Sequence, residues 1–197
     1  MKELRTPLSE GTVRSLNAGD EVFLSGPVYT ARDEAHMRAL EMHERGEALP
    51  FDLRGMAVYH CGPIMARDGD GWKLVAAGPT TSSRMNSLEP AFIKAFAIGA
   101  IIGKGGMSKP TVEAMKECGC IYLAFTGGAA VIAAQGIAIV KGVEWLDLGM
   151  PEAVWRLEAE NFGPLTVAID ANGNSLYDEV DKKVSVNVKE IRRDLGL

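Results

Sequence analysis

Between Ala100 and Val140 short apolar runs alternate with amphipathic stretches, and this alternation narrows the folds open to the chain more than any other feature. Ala100-Ile101-Ile102, Ile121 to Phe125 and Ile137 to Val140 are too short for buried helices and read as strands. Pro110 to Cys118 reads as a helix, with Pro at its start and Gly119 just past its end. Gly128 to Gln135 reads as another helix. Strand, helix, strand, helix, strand in this order calls for a parallel or mixed sheet with crossover helices, so the fold class is α/β.

At 197 residues the chain has the length of one domain. Residues 1–19 form a lead-in. Glu21 to Ser25 is a short strand stopped by Gly26-Pro27. Thr30 and Asp33 fit a capping box, with Thr30 as N-cap of a helix that runs to about Arg45 and ends at Gly46. Met56 to His60 and Trp72 to Ala76 are strands, and Leu88 to Ala97 is a helix that tolerates Pro90 in its first turn. Pro151 to Asn161 is predicted as a helix. Leu165 to Asp170, Asn172-Gly173 and Ser175 to Tyr177 read as a hairpin. The tail from Asp181 is charged and reads as peripheral.

Function is written most densely in Gly78-Pro79-Thr80-Thr81-Ser82-Ser83-Arg84-Met85-Asn86, where four hydroxyls precede one arginine in a turn opened by Gly-Pro. Hydroxyls and a guanidinium in one small space suit a carboxylate or a phosphate. Gly103-Lys104-Gly105-Gly106 adds a second cation in glycine-rich backbone. It lacks the GxxxxGK[ST] spacing of a P-loop, so a nucleotide reading is weak. Taken singly, each piece has a plain structural reading: a cap, a glycine turn, a surface arginine. Arg32, Thr80 to Arg84 and Lys104 each follow a predicted strand, however. If those strands are neighbours, the three loops converge at one end of the sheet.

Two arginines and a lysine in separate loops suit a short dianion, because an arginine can hold a carboxylate bidentately. Removing a proton beside a carboxylate builds an enolate-like species that needs a cation already in place, which Lys104 supplies. No Asp, Glu or His lies in the two turns, so a threonine or serine hydroxyl helped by nearby cations is the local base. The net charge of −5, with no basic run, argues against nucleic acid as a partner. The nearest apolar run, Ala129 to Val140, is broken by Gln135-Gly136 and is no membrane span. The polar start Met1-Lys2-Glu3-Leu4-Arg5 is no secretory signal. Three cysteines, Cys61, Cys118 and Cys120, argue for a reducing cytoplasm, and their spacing fits no common metal pattern. His36 and His43 share a helix and read as packed or solvated, while His60 could face a pocket.

The combination resembles the β subunit of the two-subunit class I fumarases and L(+)-tartrate dehydratases, equivalent to the C-terminal domain of single-chain class I fumarases. The matching stretches are Leu24-Ser25-Gly26 with Thr30-Ala31-Arg32-Asp33-Glu34-Ala35-His36, then Tyr59-His60-Cys61-Gly62-Pro63, Gly78 to Met85, Gly103 to Met107, and Leu148-Gly149-Met150-Pro151-Glu152-Ala153. The resemblance implies the swivelling β/β/α layered fold. It implies substrate binding by Arg32, Arg84 and Lys104, with Thr81 beside them, and catalysis by Thr80 as base together with Lys104. It also implies a [4Fe–4S] cluster bound by a partner α subunit and not by this chain, which then carries no metal ligand. Two αβ units are expected to associate, through an apolar face that the partner covers. The expected reaction is the reversible dehydration of (S)-malate to fumarate, with L(+)-tartrate as the alternative substrate. His60-Cys61 departs from what relatives often carry before Gly-Pro, and no catalytic role is assigned to either. Two readings of other classes stay open: a non-catalytic anion-binding or regulatory module, and a phosphocarrier with His60 as acceptor.

Overall fold

The computed structural model describes residues 2–126, 128 and 136–195. The element order is β1 (Lys2–Arg5), α1 (Glu10–Arg14), β2 (Glu21–Thr30), α2 (Asp33–Glu44), β3 (Ala57–Tyr59), β4 (Ile64–Asp68) and β5 (Gly71–Ala76). It continues with α3 (Glu89–Phe96), β6 (Ala100–Gly103), α4 (Lys109–Cys118), β7 (Ile121–Ala124), β8 (Ile137–Glu144), β9 (Val154–Ile169) and α5 (Leu176–Asp194). Strands β1, β2, β3, β6 and β7 run parallel to their neighbours in that order. Strand β9 is antiparallel to β7 on one edge and to β2 on the other, so β2, β3, β6, β7 and β9 close into a ring. Strand β8 adds to β9, and β4 with β5 forms a separate two-stranded sheet.

The parallel strands are buried on both faces, which is why Ala57 to Tyr59, Ala100 to Ile102 and Ile121 to Leu123 read as unbroken apolar runs. Successive side chains point to opposite faces. Ala57, Tyr59, Ala100, Ile102, Ile121 and Leu123 join Val22, Leu24, Trp155, Leu157, Leu165 and Val167 in the core that all five ring strands share. Val58, Ile101 and Tyr122 face the other way and pack with Ala35 and Ala39 of α2, Phe92 and Ile93 of α3, and Val112 and Met115 of α4. The mixed α/β class expected from the sequence is the one observed.

Several local expectations are corrected. The lead-in contains β1 and the short helix α1. Gly26-Pro27 does not stop β2, which runs through to Thr30 with a register shift against β9 at that point. Gly26 takes φ 97° and lets the Thr6 backbone lie against it, so the strand bends instead of ending. Thr30 is not a cap: it is fully buried in β2, and Arg32 occupies the N-cap position of α2.

Residues Pro151 to Asn161 form no helix. From Val154 they belong to β9, where Trp155, Leu157 and Ala159 are buried while Arg156, Glu158 and Glu160 are not. That period-two pattern matches the pleat, and pairing on both edges overrides the helix-forming composition of this stretch. The second strand of the predicted hairpin shrinks to one bridge between Ile169 and Ser175, after which α5 begins. The predicted helix Gly128 to Gln135 lies outside the described residues.

Thr30 ties the two ends of this arrangement together. Its hydroxyl donates to the Ala153 carbonyl at 3.3 Å and accepts from the Trp155 N–H at 3.0 Å, across the seam between β2 and β9. Thr30→Val keeps the shape and strands both groups in the core. We expect a loss of about 1–3 kcal/mol, read from the shift in urea midpoint at constant m value.

Candidate functional site

The carboxyl ends of β2, β3 and β6 lie side by side because those strands are parallel neighbours. The residues that follow them are Arg32, His60-Cys61 and Lys104. The Thr80 turn threads between the last two. Pro79 bridges Cys61, and Thr80 N–H donates to the His60 carbonyl at 2.7 Å. On its other side Thr81 bridges Lys104, Ser82 N–H donates to the Lys104 carbonyl at 3.0 Å, and Lys104 N–H donates to the Thr80 carbonyl at 3.3 Å. The turn therefore behaves as a short strand inserted at the sheet end, and Thr80, Thr81 and Lys104 become neighbours although they lie far apart in the chain.

A 3-10 turn, Ser82–Met85, carries Arg84 outward. Met85 is buried beneath it, and Asn86 accepts from the N–H of Ser108, the N-cap of α4, at 2.9 Å. Ser82 is fully buried against Gly103, where a Cβ would run into its hydroxyl. The glycine before Lys104 is thus required by close approach. On the opposite side of the Lys104 loop Tyr177, from the first turn of α5, packs on Gly106.

Both arginines are already paired. Arg32 Nη2 lies 2.8 Å from Glu152 Oε1, and its guanidinium passes over Gly62, which has no side chain to obstruct it. Arg32 Nε is buried with no hydrogen-bond partner among the described residues. Arg84 Nη2 lies 2.6 Å from Asp33 Oδ2, with half of its side chain exposed. In each case one arm of the fork is held by a carboxylate and the rest remains for a second anion. Lys104 makes no ion pair among the described residues. The site is an open shelf on which Thr81, Arg84 and Gly105 are exposed.

Beneath the shelf lies a grouping that the sequence did not announce. His36, His60 and Glu89 are each fully buried, and one ligand atom from each falls within 4.8 Å of the others. Glu89 is the first residue of α3, and nothing in the pattern Leu88 to Ala97 marked it as anything but a helix-start acid. The burial of His60 beside this carboxylate removes the phosphocarrier reading, because an incoming phosphoryl group has no access to the ring.

The family model for the fumarase C-terminus matches residues 2–180. The chain belongs to that family. Family members similar to it include a Methanocaldococcus jannaschii protein provisionally named L(+)-tartrate dehydratase subunit beta, 51% identical over 93% of this chain and 95% of its own length. The L(+)-tartrate dehydratase subunit beta of Escherichia coli K12 is 39% identical over 92% of this chain and 89% of its own length. A Geobacillus stearothermophilus protein provisionally named class I fumarate hydratase is 42% identical over 91% of this chain and 34% of its own length. The fumarase C-terminal fold thus occurs both as a separate chain and as one third of a longer one.

The contact between Gly103 and Ser82 can be tested by a double-mutant cycle. Gly103→Ala alone is expected to destabilise by about 1–3 kcal/mol through overpacking. Combined with Ser82→Ala, which removes the obstructing hydroxyl, the total loss should fall short of the sum of the single losses by about 1 kcal/mol in urea titrations. Strict additivity would mean that the two residues do not touch.

Proposed function

We propose that this chain is the β subunit of a two-chain hydro-lyase that reversibly dehydrates (S)-malate to fumarate. The observation that carries the reading is the insertion of the Thr80 turn between His60-Cys61 and Lys104. It sets a hydroxyl, a lysine and two arginine forks at one end of the parallel strands. Membership of the fumarase C-terminal family and the subunit names of its two-chain relatives support the assignment.

In this reading Arg32 and Arg84 hold the two carboxylates through the fork positions that Glu152 and Asp33 leave open, with Thr81 adding a hydrogen bond. Binding orients the substrate before any chemistry occurs. Thr80, as its deprotonated alkoxide, takes the proton from the carbon beside one carboxylate and becomes the neutral hydroxyl. Negative charge then builds on that carboxylate, and Lys104 stabilises it from a fixed position at no reorganisation cost. A threonine hydroxyl is a weak base, so the cations around it must lower the energy of its deprotonated form.

The [4Fe–4S] cluster implied by the resemblance does not fit the cysteines of this chain. Cys61 packs in the ring core and Cys120 in the core under the helices, on opposite faces of the sheet. Burial pushes the Cys61 thiol up to about 12 and raises that of Cys120 as well, whereas cluster ligands must be thiolates. We assign the cluster, and the departure of the hydroxyl group, to a partner α subunit, with two αβ units associating. None of the described helices is long and apolar enough to cross a membrane.

L(+)-tartrate is the second reading, favoured by the names of the two-chain relatives, which this chain matches over nearly their full length. Tartrate has one more hydroxyl, and a site built to bond it discriminates sharply. Anaerobic turnover of the chain mixed with its cluster-loaded partner, offered each substrate separately, decides between them. Turnover of neither by an intact complex would move the assignment to an anion-binding module. With the preferred substrate, Thr80→Ala and Lys104→Ala are each expected to lower kcat by about 10²-fold or more with assembly intact. Arg84→Ala should act chiefly by raising KM.

A further inference from the structure

The histidine–glutamate grouping under the shelf takes no part in the reaction as proposed, yet it touches both Arg32 and the Thr80–Ser82 turn. His36 Nε2 and His60 Nε2 lie 3.2 and 3.1 Å from the same oxygen of Glu89. On its other edge His36 Nδ1 stands 2.7 Å from the Arg32 carbonyl oxygen. His60 Nδ1 stands 2.9 Å from Ser82 Oγ, which in turn accepts from the Tyr122 hydroxyl at 3.0 Å.

The partners dictate where the protons sit. A carbonyl can only accept, so His36 Nδ1 carries a hydrogen. Ser82 receives the Tyr122 hydrogen and can give its own to His60 Nδ1, which places the single ring hydrogen of His60 on Nε2, toward Glu89. A fully buried carboxylate also needs a counter-charge. The second hydrogen of His36, on Nε2, supplies it. The contacts at Glu89 fall short of hydrogen-bond geometry, and its Oε1 has no partner among the described residues, so attraction between opposite charges dominates there.

Titration tendencies agree with this assignment. Burial alone would depress His36, but the nearby charge of Glu89, with the Arg32 carbonyl and Asp33, reverses this and raises it. Burial depresses His60, only partly offset by Glu89, and the neighbouring His36 depresses it further. Burial pushes Glu89 up, yet the two histidines overcome it and hold the carboxyl low. The other titratable groups facing the network are Asp33 from α2, Cys120 ahead of β7 and Tyr122 of β7.

We propose that His36, Glu89 and His60 form a buried ion-paired chain of positioning residues that fixes Arg32 at one end and the Thr80–Ser82 turn at the other. This inference rests on the hydro-lyase reading. Through His36 the chain holds the carbonyl of Arg32. Through the His60 main chain it holds the Thr80 N–H, and through the His60 ring it holds Ser82. The carboxylate clamp and the base therefore keep a set separation only while the charge pair is intact. A misplacement of about 1 Å at such a site costs on the order of 10²-fold in rate.

The test uses Glu89→Gln, Glu89→Asp and Ser82→Ala in the full chain. Ring-nitrogen NMR on histidine-labelled chain reads the protonation of His36 directly, since the chain has only three histidines. Metal content is measured on the same samples, and kcat and KM on the complex with the partner. We expect a doubly protonated His36 at pH 7 in the wild type and a singly protonated one in Glu89→Gln. The kcat/KM value should fall about 10²-fold in Glu89→Gln, with partial rescue in Glu89→Asp. Ser82→Ala should lower kcat/KM while leaving His36 charged, and it carries the kinetic arm if Glu89→Gln does not fold. A neutral His36 in the wild type, or one equivalent of metal bound at both Nε2 atoms, overturns the proposal. So does an active wild-type complex whose folded Glu89→Gln variant keeps its kcat/KM. An inactive wild-type complex overturns the hydro-lyase reading first, and the positioning role falls with it.

Discussion

Strand β9 is the constraint on which the rest of the molecule depends. Its sixteen residues pair with β2 along one edge and with β8 and β7 along the other. Without it, β2, β3, β6 and β7 would form an open parallel sheet with an exposed edge at β7. With it, the sheet closes and its inner face becomes a core that contains Trp155, Phe162 and Tyr59. Closure also fixes the relative positions of the parallel strand ends, and with them the loops that carry Arg32, His60 and Lys104.

A shelf at the strand ends, bearing cations paired to carboxylates of the same chain, has a chemical consequence. Glu152 and Asp33 hold Arg32 and Arg84 in place, so in the proposed site little ordering of the two arginines would remain for binding to accomplish. They also offset the charge of both arginines, whereas Lys104 has no ion-pair partner among the described residues. The openness of the shelf fits a site that a second chain completes.

Helix α5 extends from this body with Val180, Val184, Val186, Val188, Ile191 and Leu195 exposed. Its first turn is nevertheless anchored, since Tyr177 packs on Gly106 and faces Tyr122 with ring centroids 6.3 Å apart. One helix thus backs the Lys104 loop at its start and presents an apolar surface along its length.

Much of the fold was legible in the sequence because local rules decided it. Short β-branched runs became the parallel strands, Gly119 ended α4 in a left-handed cap, and Gly46 followed α2. The hydroxyl turn and the glycine–lysine loop were visible as chemistry, and Arg32 and Lys104 do follow parallel strands of one sheet. The strand before Thr80, however, lies in the separate two-stranded sheet, and only the bridges to Cys61 and Lys104 bring that turn to the site. What the sequence could not decide were the features set by partners distant in the chain. Residues Val154 to Asn161 have a helix-forming composition, and only pairing on both edges makes them a strand. Glu89 looks like an ordinary acid at a helix start. It becomes a buried counter-charge only because α3 packs against α2 and β3, where the rings of His36 and His60 stand waiting. Local propensity is a property of neighbouring residues, whereas burial and charge pairing are properties of the closed sheet, and only the tertiary structure decides those.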